Sequence, residues 1–267
     1  MGLLIELQDV FPCDNLSRDT LFGGELICYQ HQKGYRFSID SVLLAHFVEI
    51  RRGDSILDLG TGSGIIGMIL LYRWQDRIRQ LTGIEVQQGL AQLAGKNLRA
   101  NRFEGSGRII QGDIKEIDTF ILAESYDKIV CNPPFYAPTT GRLSKNREAQ
   151  TARHQILASL QNFLRAAAFA VKNGGEVYFI YPAEGVGECI TLAEKYRLEV
   201  KKIQFIYSYP QTLDPARLVM LRCCKNGGRG AEVLPPLYVY CEKNGEFTPE
   251  MQKYYQTNQE VPLKDDY

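Results

Sequence analysis

The chain is short of the residues that metal and nucleophilic chemistry uses. It has three histidines (His31, His46 and His154) in 267 residues, and none of its seven cysteines forms a Cys-x-x-Cys pair. A zinc site is therefore not expected, nor any other metal site. No Ser/His/Asp or Cys/His set is apparent. No stretch approaches the roughly 20 uninterrupted apolar residues of a membrane span. Met1 to Asp9 lacks a basic segment and contains Glu6 and Asp9, so it does not read as a signal peptide. Cys131 and Cys189 lie in apolar surroundings and read as reduced core thiols, which predicts a cytoplasmic protein. Charge of one sign is missing too: 31 basic residues balance 31 acidic ones. A nucleic-acid partner would have to be held by a local patch.

What is present centres on Ile56-Leu57-Asp58-Leu59-Gly60-Thr61-Gly62-Ser63-Gly64, followed by Ile65-Ile66-Gly67-Met68-Ile69-Leu70-Leu71. An apolar run stops in glycines and resumes, which predicts a buried strand, a tight turn and a buried helix. Strand and helix patterns then alternate. Leu81–Glu85 is a strand; Gln87–Ala100 has apolar residues at 90, 93, 94 and 98 and is a helix. Arg108–Gln111 and Asp127–Cys131 are strands, Gln155–Val171 a helix closed by Lys172-Asn173-Gly174-Gly175. Glu176–Tyr181, Leu198–Tyr207, Arg217–Cys223 and Leu237–Cys241 are strands, with a helix over Gly185–Tyr196. Thr248-Pro249-Glu250 starts a short last helix. Upstream, Glu25–Gln30 and Tyr35–Ser38 predict a hairpin around His31–Gly34, then a helix over Ser41–Glu49. The fold class is α/β: a Rossmann-like, mostly parallel sheet with a late antiparallel strand and helices on both faces. Residues 1–50 read as an N-terminal extension packed on a core domain of 51–267. Ligands of such sheets bind beyond the carboxyl ends of the strands.

Gly62-Ser63-Gly64-Ile65-Ile66-Gly67 fits G-x-G-x-x-G, and Glu85 lies about 20 residues on. That pattern alone does not separate NAD from S-adenosylmethionine. Asp58 favours the second: a carboxylate in a buried strand needs a cation. The α-ammonium of S-adenosylmethionine is one, whereas Asp58 would repel a pyrophosphate. Gly60 and Gly62 would let the backbone approach the cofactor, and Glu85 would accept from both ribose hydroxyls. Asp113 would accept from the adenine amino group, or is a plain turn or helix-cap residue.

Asn132-Pro133-Pro134-Phe135 follows the fourth strand. An amide-like or aromatic amine is a poor nucleophile because its lone pair is delocalised. Two acceptors on its two N–H bonds pull the nitrogen toward tetrahedral geometry and aim the lone pair at an electrophile. The Asn132 side-chain oxygen and the Pro133 carbonyl can be those acceptors. Pro133 and Pro134 stiffen the backbone that carries them, and Phe135 offers a face for a flipped base, worth roughly 1–3 kcal/mol. In-line methyl transfer needs positioning more than acid–base work. Tyr136–His154 is then long enough for a lid, and its Arg142, Lys145, Arg147 and Arg153 against Glu148 suit a phosphate backbone. Arg222, Lys225 and Arg229 make a smaller basic cluster.

With these residues the chain resembles the class I S-adenosylmethionine-dependent methyltransferases of the Asn-Pro-Pro-Phe/Tyr group, and within it the bacterial tRNA(Val) adenine-N6 methyltransferases. The likeness rests on Tyr35–Ala45, on the pairing of Asp58–Gly64 with Asn132–Phe135, and on the ending Leu237-Tyr238-Val239-Tyr240 … Tyr254-Tyr255. It implies that Asp58, Gly60, Gly62, Glu85, Asp113 and Asn132 hold the cofactor, that Asn132–Phe135 hold the target base, and that tRNA is the partner. The same chemistry on a protein glutamine amide or on guanine N2 of rRNA is the alternative. Glutamine enzymes usually carry Tyr where Phe135 stands, and a helical N-terminal domain that 1–50 is too short to supply. An NAD-dependent oxidoreductase is opposed by Asp58 and by Asn132-Pro133. A cofactor-binding module without catalysis is opposed by the intact Asn132–Phe135.

Overall fold

A helix that is apolar on every side has to be covered on every side. In the computed structural model, which describes residues 16–32, 38–134, 160–211 and 213–257, the helix α2 (Ile65–Trp74) is of this kind, with Ile65 to Leu71 all buried. It follows the strand β3 (Asp54–Leu59), every residue of which is buried. A run buried on both faces belongs in the middle of a parallel sheet. The next units repeat the crossover: β4 (Ile78–Glu85), α3 (Gln88–Ala100) and β5 (Gly107–Gln111) step outward from β3. The chain then returns to the other side of β3 with β6 (Tyr126–Cys131). The order therefore reverses between β3 and β6, and sheets of this kind bind ligands at such a switch point, beyond the strands' carboxyl ends.

Helix α4, described over 160–170, leads directly into β7 (Val171–Pro182), parallel to β6. The glycine-rich Lys172–Gly175, read from sequence as a loop, is a bulge inside this strand: the register with β6 jumps between Tyr126↔Val171 and Lys128↔Glu176. Helix α5 (Val186–Lys195), β8 (Leu198–Tyr207) and β9 (Leu218–Lys225) follow. The late strand β9 is antiparallel as expected, inserted between β7 and β8. The expected strand Leu237–Cys241 is shorter; β11 (Leu237–Tyr238) pairs with β8, as does β10 (Glu232–Val233). Thr248 Oγ1 accepts from the Met251 N–H at 3.2 Å, capping α6 (Pro249–Lys253). One sheet face is covered by α1 (Ile39–Phe47), α2 and residues of β2 (Leu26–His31) and α6, the other by α4 and α5.

β2 pairs antiparallel with an upstream strand, β1 (Leu16–Leu21), which the sequence reading did not include. The turn is Phe22-Gly23-Gly24, all three at positive φ (52°, 63° and 102°). The Gly-Gly pair was the overlooked signal. Residues 33–37 lie outside the described residues. Among the described residues no helix is long and apolar enough to cross a membrane.

Polar groups at the amino ends of the strands are paired. Lys128 is 2% exposed, with Nζ 2.5 Å from Glu176 Oε2 and 3.6 Å from Asp54 Oδ2. Burial alone would raise the Glu176 carboxyl, but the hydrogen bond and charge of Lys128 outweigh it and hold it below the usual range. Its contribution is thus present at neutral pH and is lost as pH falls through the lowered value. Of the smaller basic cluster, Arg222 is neutralised by Glu49 and Glu176, and Lys225 by Glu124. Replacing Lys128 by Met should lower stability by roughly 3–5 kcal/mol in urea unfolding, because two buried carboxylates lose their ammonium. Arg51→Ala should change it by less than about 1 kcal/mol, since that side chain is 73% exposed.

Candidate functional site

Register brings the expected cofactor residues to one sheet edge. Asp58 lies opposite Val130 of β6 and Gly83 of β4, and Leu59 opposite Cys131 and Ile84. The next residues, Gly60, Asn132 and Glu85, end the three central strands side by side. β5 ends at Gln111, opposite Glu85, and Asp113 follows two residues later.

The turn between β3 and α2 is built for backbone approach. Gly60, Gly62 and Gly64 have φ of 68°, 58° and 86°, which side-chain-bearing residues rarely adopt. A Cβ on Gly60 would also sit 2.9 Å from the Phe163 ring. The Glu85 carboxylate closes the turn from the second strand, accepting from the Gly62 N–H and from the Gln87 N–H, both at 2.9 Å. Asp113 accepts from the Lys115 N–H at 2.9 Å, so the cap among its sequence-based readings is realised. A carboxylate oxygen has two lone pairs, so neither acid is exhausted by these bonds.

Asp58 is fully buried. Its Oδ2 accepts from Thr61 Oγ1 at 2.6 Å, while Oδ1 has no hydrogen-bond partner. Burial first, and the nearby charge of Glu85, push its carboxyl up to about 7, against the Thr61 hydrogen bond. The hydroxyl of Ser63, 2% exposed, is a second buried polar atom without a partner in the same turn. Two orphaned atoms in one glycine turn, one of them a carboxylate oxygen, fit a ligand that brings a cation and further polar groups. The residues present therefore fit the aminoacyl end of S-adenosylmethionine.

Sequence reasoning missed Asn97. Its side chain is fully buried on α3. Oδ1 accepts from the Tyr29 N–H at 2.8 Å, and Nδ2 donates to the Tyr29 carbonyl at 3.0 Å and to the Ser63 carbonyl at 2.8 Å. Four residues on, Asn101 repeats the pattern with the N–H and carbonyl of Ile27. Two side-chain amides thus do the work of a strand, fastening β2 to α3 and to the glycine turn. The available signal was a polar residue inside the apolar stripe of α3.

At the acceptor end, Asn132 is half-buried, Pro133 buried and Pro134 exposed. Phe135 and the basic Tyr136–His154 loop, with Arg142, Lys145, Arg147 and Arg153, lie outside the described residues. Among the described residues no His/Cys/Asp/Glu group could hold a metal. His46 is placed structurally: Nδ1 bonds the Val42 carbonyl, Nε2 accepts from Arg73 at 2.9 Å, and the ring stacks on Tyr254. Burial, with the charge of Arg73, pushes its imidazole down to about 4.

The family described as methyltransferase small domain matches residues 36–185. A tRNA1(Val) (adenine(37)-N6)-methyltransferase of Actinobacillus succinogenes is 32% identical over 145 residues, which cover 54% of this chain and 60% of the relative. One of the same name from Phocaeicola vulgatus is 26% identical over 192 residues, 72% and 78% of the two chains. The chain thus spans less than two thirds of the length of the Actinobacillus relative. Among solved structures, a protein described as a predicted O-methyltransferase from Agrobacterium tumefaciens superposes with a TM-score of 0.65 at 20% identity, covering 82% of this chain and 97% of that one. At that identity the likeness carries the fold alone.

Two measurements check the site. With its carboxyl pushed up to about 7, Asp58 is protonated at lower pH and would have to ionise to meet a cation. Affinity for S-adenosylhomocysteine, by calorimetry, should therefore fall up to about tenfold per pH unit below 7. With Asp58→Asn it should be weaker and flat over pH 5.5–8. Asn97→Ala strands Tyr29 and Ser63 backbone groups and should cost about 2–4 kcal/mol in chemical unfolding.

Proposed function

The chain belongs to the methyltransferase small-domain family, and from that premise we propose that it transfers the methyl group of S-adenosylmethionine to N6 of an adenine in RNA, beside the anticodon of a tRNA. One observation carries the reading. β6 ends in Asn132-Pro133 on the switch-point side of β3, level with the glycine turn and its unpaired Asp58 oxygen. The names of the relatives support adenine N6 of tRNA as the acceptor.

S-adenosylmethionine supplies an electrophilic methyl group on sulfur. The residues of this chain position the two reactants. Asp58, as carboxylate, meets the α-ammonium, and the positive-φ glycines let the turn lie against the aminoacyl chain. Glu85 receives the ribose hydroxyls, and Asp113 meets the adenine end. The Asn132 side-chain oxygen and the Pro133 carbonyl each accept one N–H of the target amine. That pair draws the lone pair out of conjugation and points it at the methyl carbon. As the new N–C bond forms the S–C bond breaks, and the nitrogen loses one proton to solvent. Phe135 would support the flipped base, and Arg142, Lys145, Arg147 and Arg153 would border it with positive charge. A cytoplasmic setting suits the buried free thiols of Cys131 and Cys189.

Labelled S-adenosylmethionine should methylate tRNA from cells lacking this protein, and nucleoside mass spectrometry should find N6-methyladenosine. Label in protein alone would replace RNA by a glutamine amide as acceptor. Asn132→Ala should lower kcat by at least about 100-fold and leave binding of S-adenosylhomocysteine within about twofold. Unchanged turnover would remove Asn132 from its role.

A further inference from the structure

The tyrosine-rich ending of the chain is not used by the chemistry above, yet the topology carries it to the reacting edge. β7 is parallel to β6, and β8, antiparallel to β9, runs the same way as β7. β11 is parallel to β8 with Tyr238 opposite Tyr207. The carboxyl ends of β8 and β11 therefore lie on the same edge as Asn132. Four strand spacings of about 4.8 Å separate β6 from β11, roughly 19 Å, a span for a few nucleotides.

Aromatic rings gather there. Tyr207 and Tyr238 are half-buried with centroids 5.8 Å apart, tilted by 40°. Tyr240, Phe247 and Tyr255 form a column at 5.4 and 5.3 Å, with interplanar angles of 21° and 6°. Phe247 and Tyr255 pack on the core, whereas Tyr240 is 38% exposed at the outer end. Between this group and the acceptor stands Arg217, exposed, its backbone bonded to the ends of β7 and β8 through Ala183 and Ile206. Among the described residues no carboxylate forms an ion pair with its guanidinium, although its charge acts on the carboxyl of Asp40, opposing the rise that burial imposes there. The surroundings are not basic: exposed Glu242, Glu246 and Glu250 outnumber Lys243 and Lys253. The exposed rings can stack bases, whose faces are neutral, with Arg217 as the basic contact among them.

We propose that Tyr207, Tyr238 and the Tyr240 column are a stacking platform for unpaired bases flanking the target adenine, with Arg217 meeting the phosphate between them. This rests on the RNA reading above and extends it to a single-stranded loop, the form in which RNA bases can be splayed and stacked. It also accounts for how a chain of zero formal net charge holds a polyanion.

The test is fluorescence anisotropy of an unmodified RNA hairpin with adenine in its loop, titrated with the full chain saturated with S-adenosylhomocysteine. Tyr240→Leu and Tyr240→Ala should weaken binding at least about fivefold, as loss of one stacked base does. Tyr240→Phe should bind like wild type, and all three should keep S-adenosylhomocysteine affinity. Tyr207→Ala should behave like Tyr240→Ala, and Tyr207→Phe like wild type. The slope of log Kd against log salt should be no steeper than about 3, corresponding to few phosphate contacts. A wild type that binds the hairpin, with every tyrosine variant binding equally well, would overturn the platform and leave the RNA reading standing. A wild type that does not bind RNA at all would overturn the RNA reading and the platform with it.

Discussion

A carboxylate with no exposure and one unpaired oxygen is the constraint around which this sheet is arranged. Asp58, once ionised, raises the free energy of the fold, because burial favours its neutral form. The sign is fixed: a raised folded-state value means that stability is lost as pH climbs through about 7. A cation in the turn reverses that penalty. Everything adjacent serves to keep the turn in place. Thr61 holds one oxygen of Asp58, Glu85 holds Gly62, and Asn97 holds Ser63. The turn is thus held by several hydrogen bonds, and the buried Asp58 oxygen without a partner is a costly feature that a positive ligand would relieve.

The same logic explains why the proposed chemistry needs no catalytic triad. In the proposed reaction the acceptor nitrogen is weak, and no acid or base shifts its protons early. What lowers the barrier is holding the amine's two N–H bonds while the methyl carbon is close. That task falls to a side-chain oxygen and a carbonyl on a proline-stiffened strand end. The switch point between β3 and β6 sets the two halves of this arrangement on adjacent strands, so their spacing is fixed by sheet geometry rather than by a flexible loop.

Much of this was legible in the chain itself. β8 is found over the predicted Leu198–Tyr207, β3 and α3 fall within two residues of expectation, and α2 runs three residues past the apolar run Ile65–Leu71, since their apolar patterns are dense. Asp58 stood out because a charge interrupted an apolar run. What failed was pairing and long-range bonding. The upstream partner of β2 was passed over because attention went to the next apolar segment, although Gly23-Gly24 marked a turn before it. The bulge at Lys172–Gly175 was read as a helix-ending loop, which the same residues would also serve. Asn97 and Asn101 were passed over because helical periodicity says which face is buried but not that a buried amide is bonded to a strand 68 or 74 residues away.

The asparagine pair bears on how the amino-terminal hairpin relates to the site. A hairpin that only covered apolar surface could slide or be lost at the cost of its buried area. Here Tyr29 and Ser63 share one amide, so a displacement of β2 would pull on the glycine turn directly. Lys96, over the Tyr29 ring at 4.5 Å, adds a second tie from the same helix. Residues before the family-matched segment are thereby wired into the cofactor turn. At the opposite end of the chain, Tyr254 stacks on His46, whose imidazole is kept neutral by burial and oriented by Arg73. The carboxyl-terminal helix is therefore clamped to α1 by an uncharged ring, and that clamp does not change across the physiological range. Among the described residues, β2 is held to α3 by asparagine amides and Tyr254 to α1 by a neutral imidazole, while the buried acid whose ionisation falls near neutrality lies in the glycine turn.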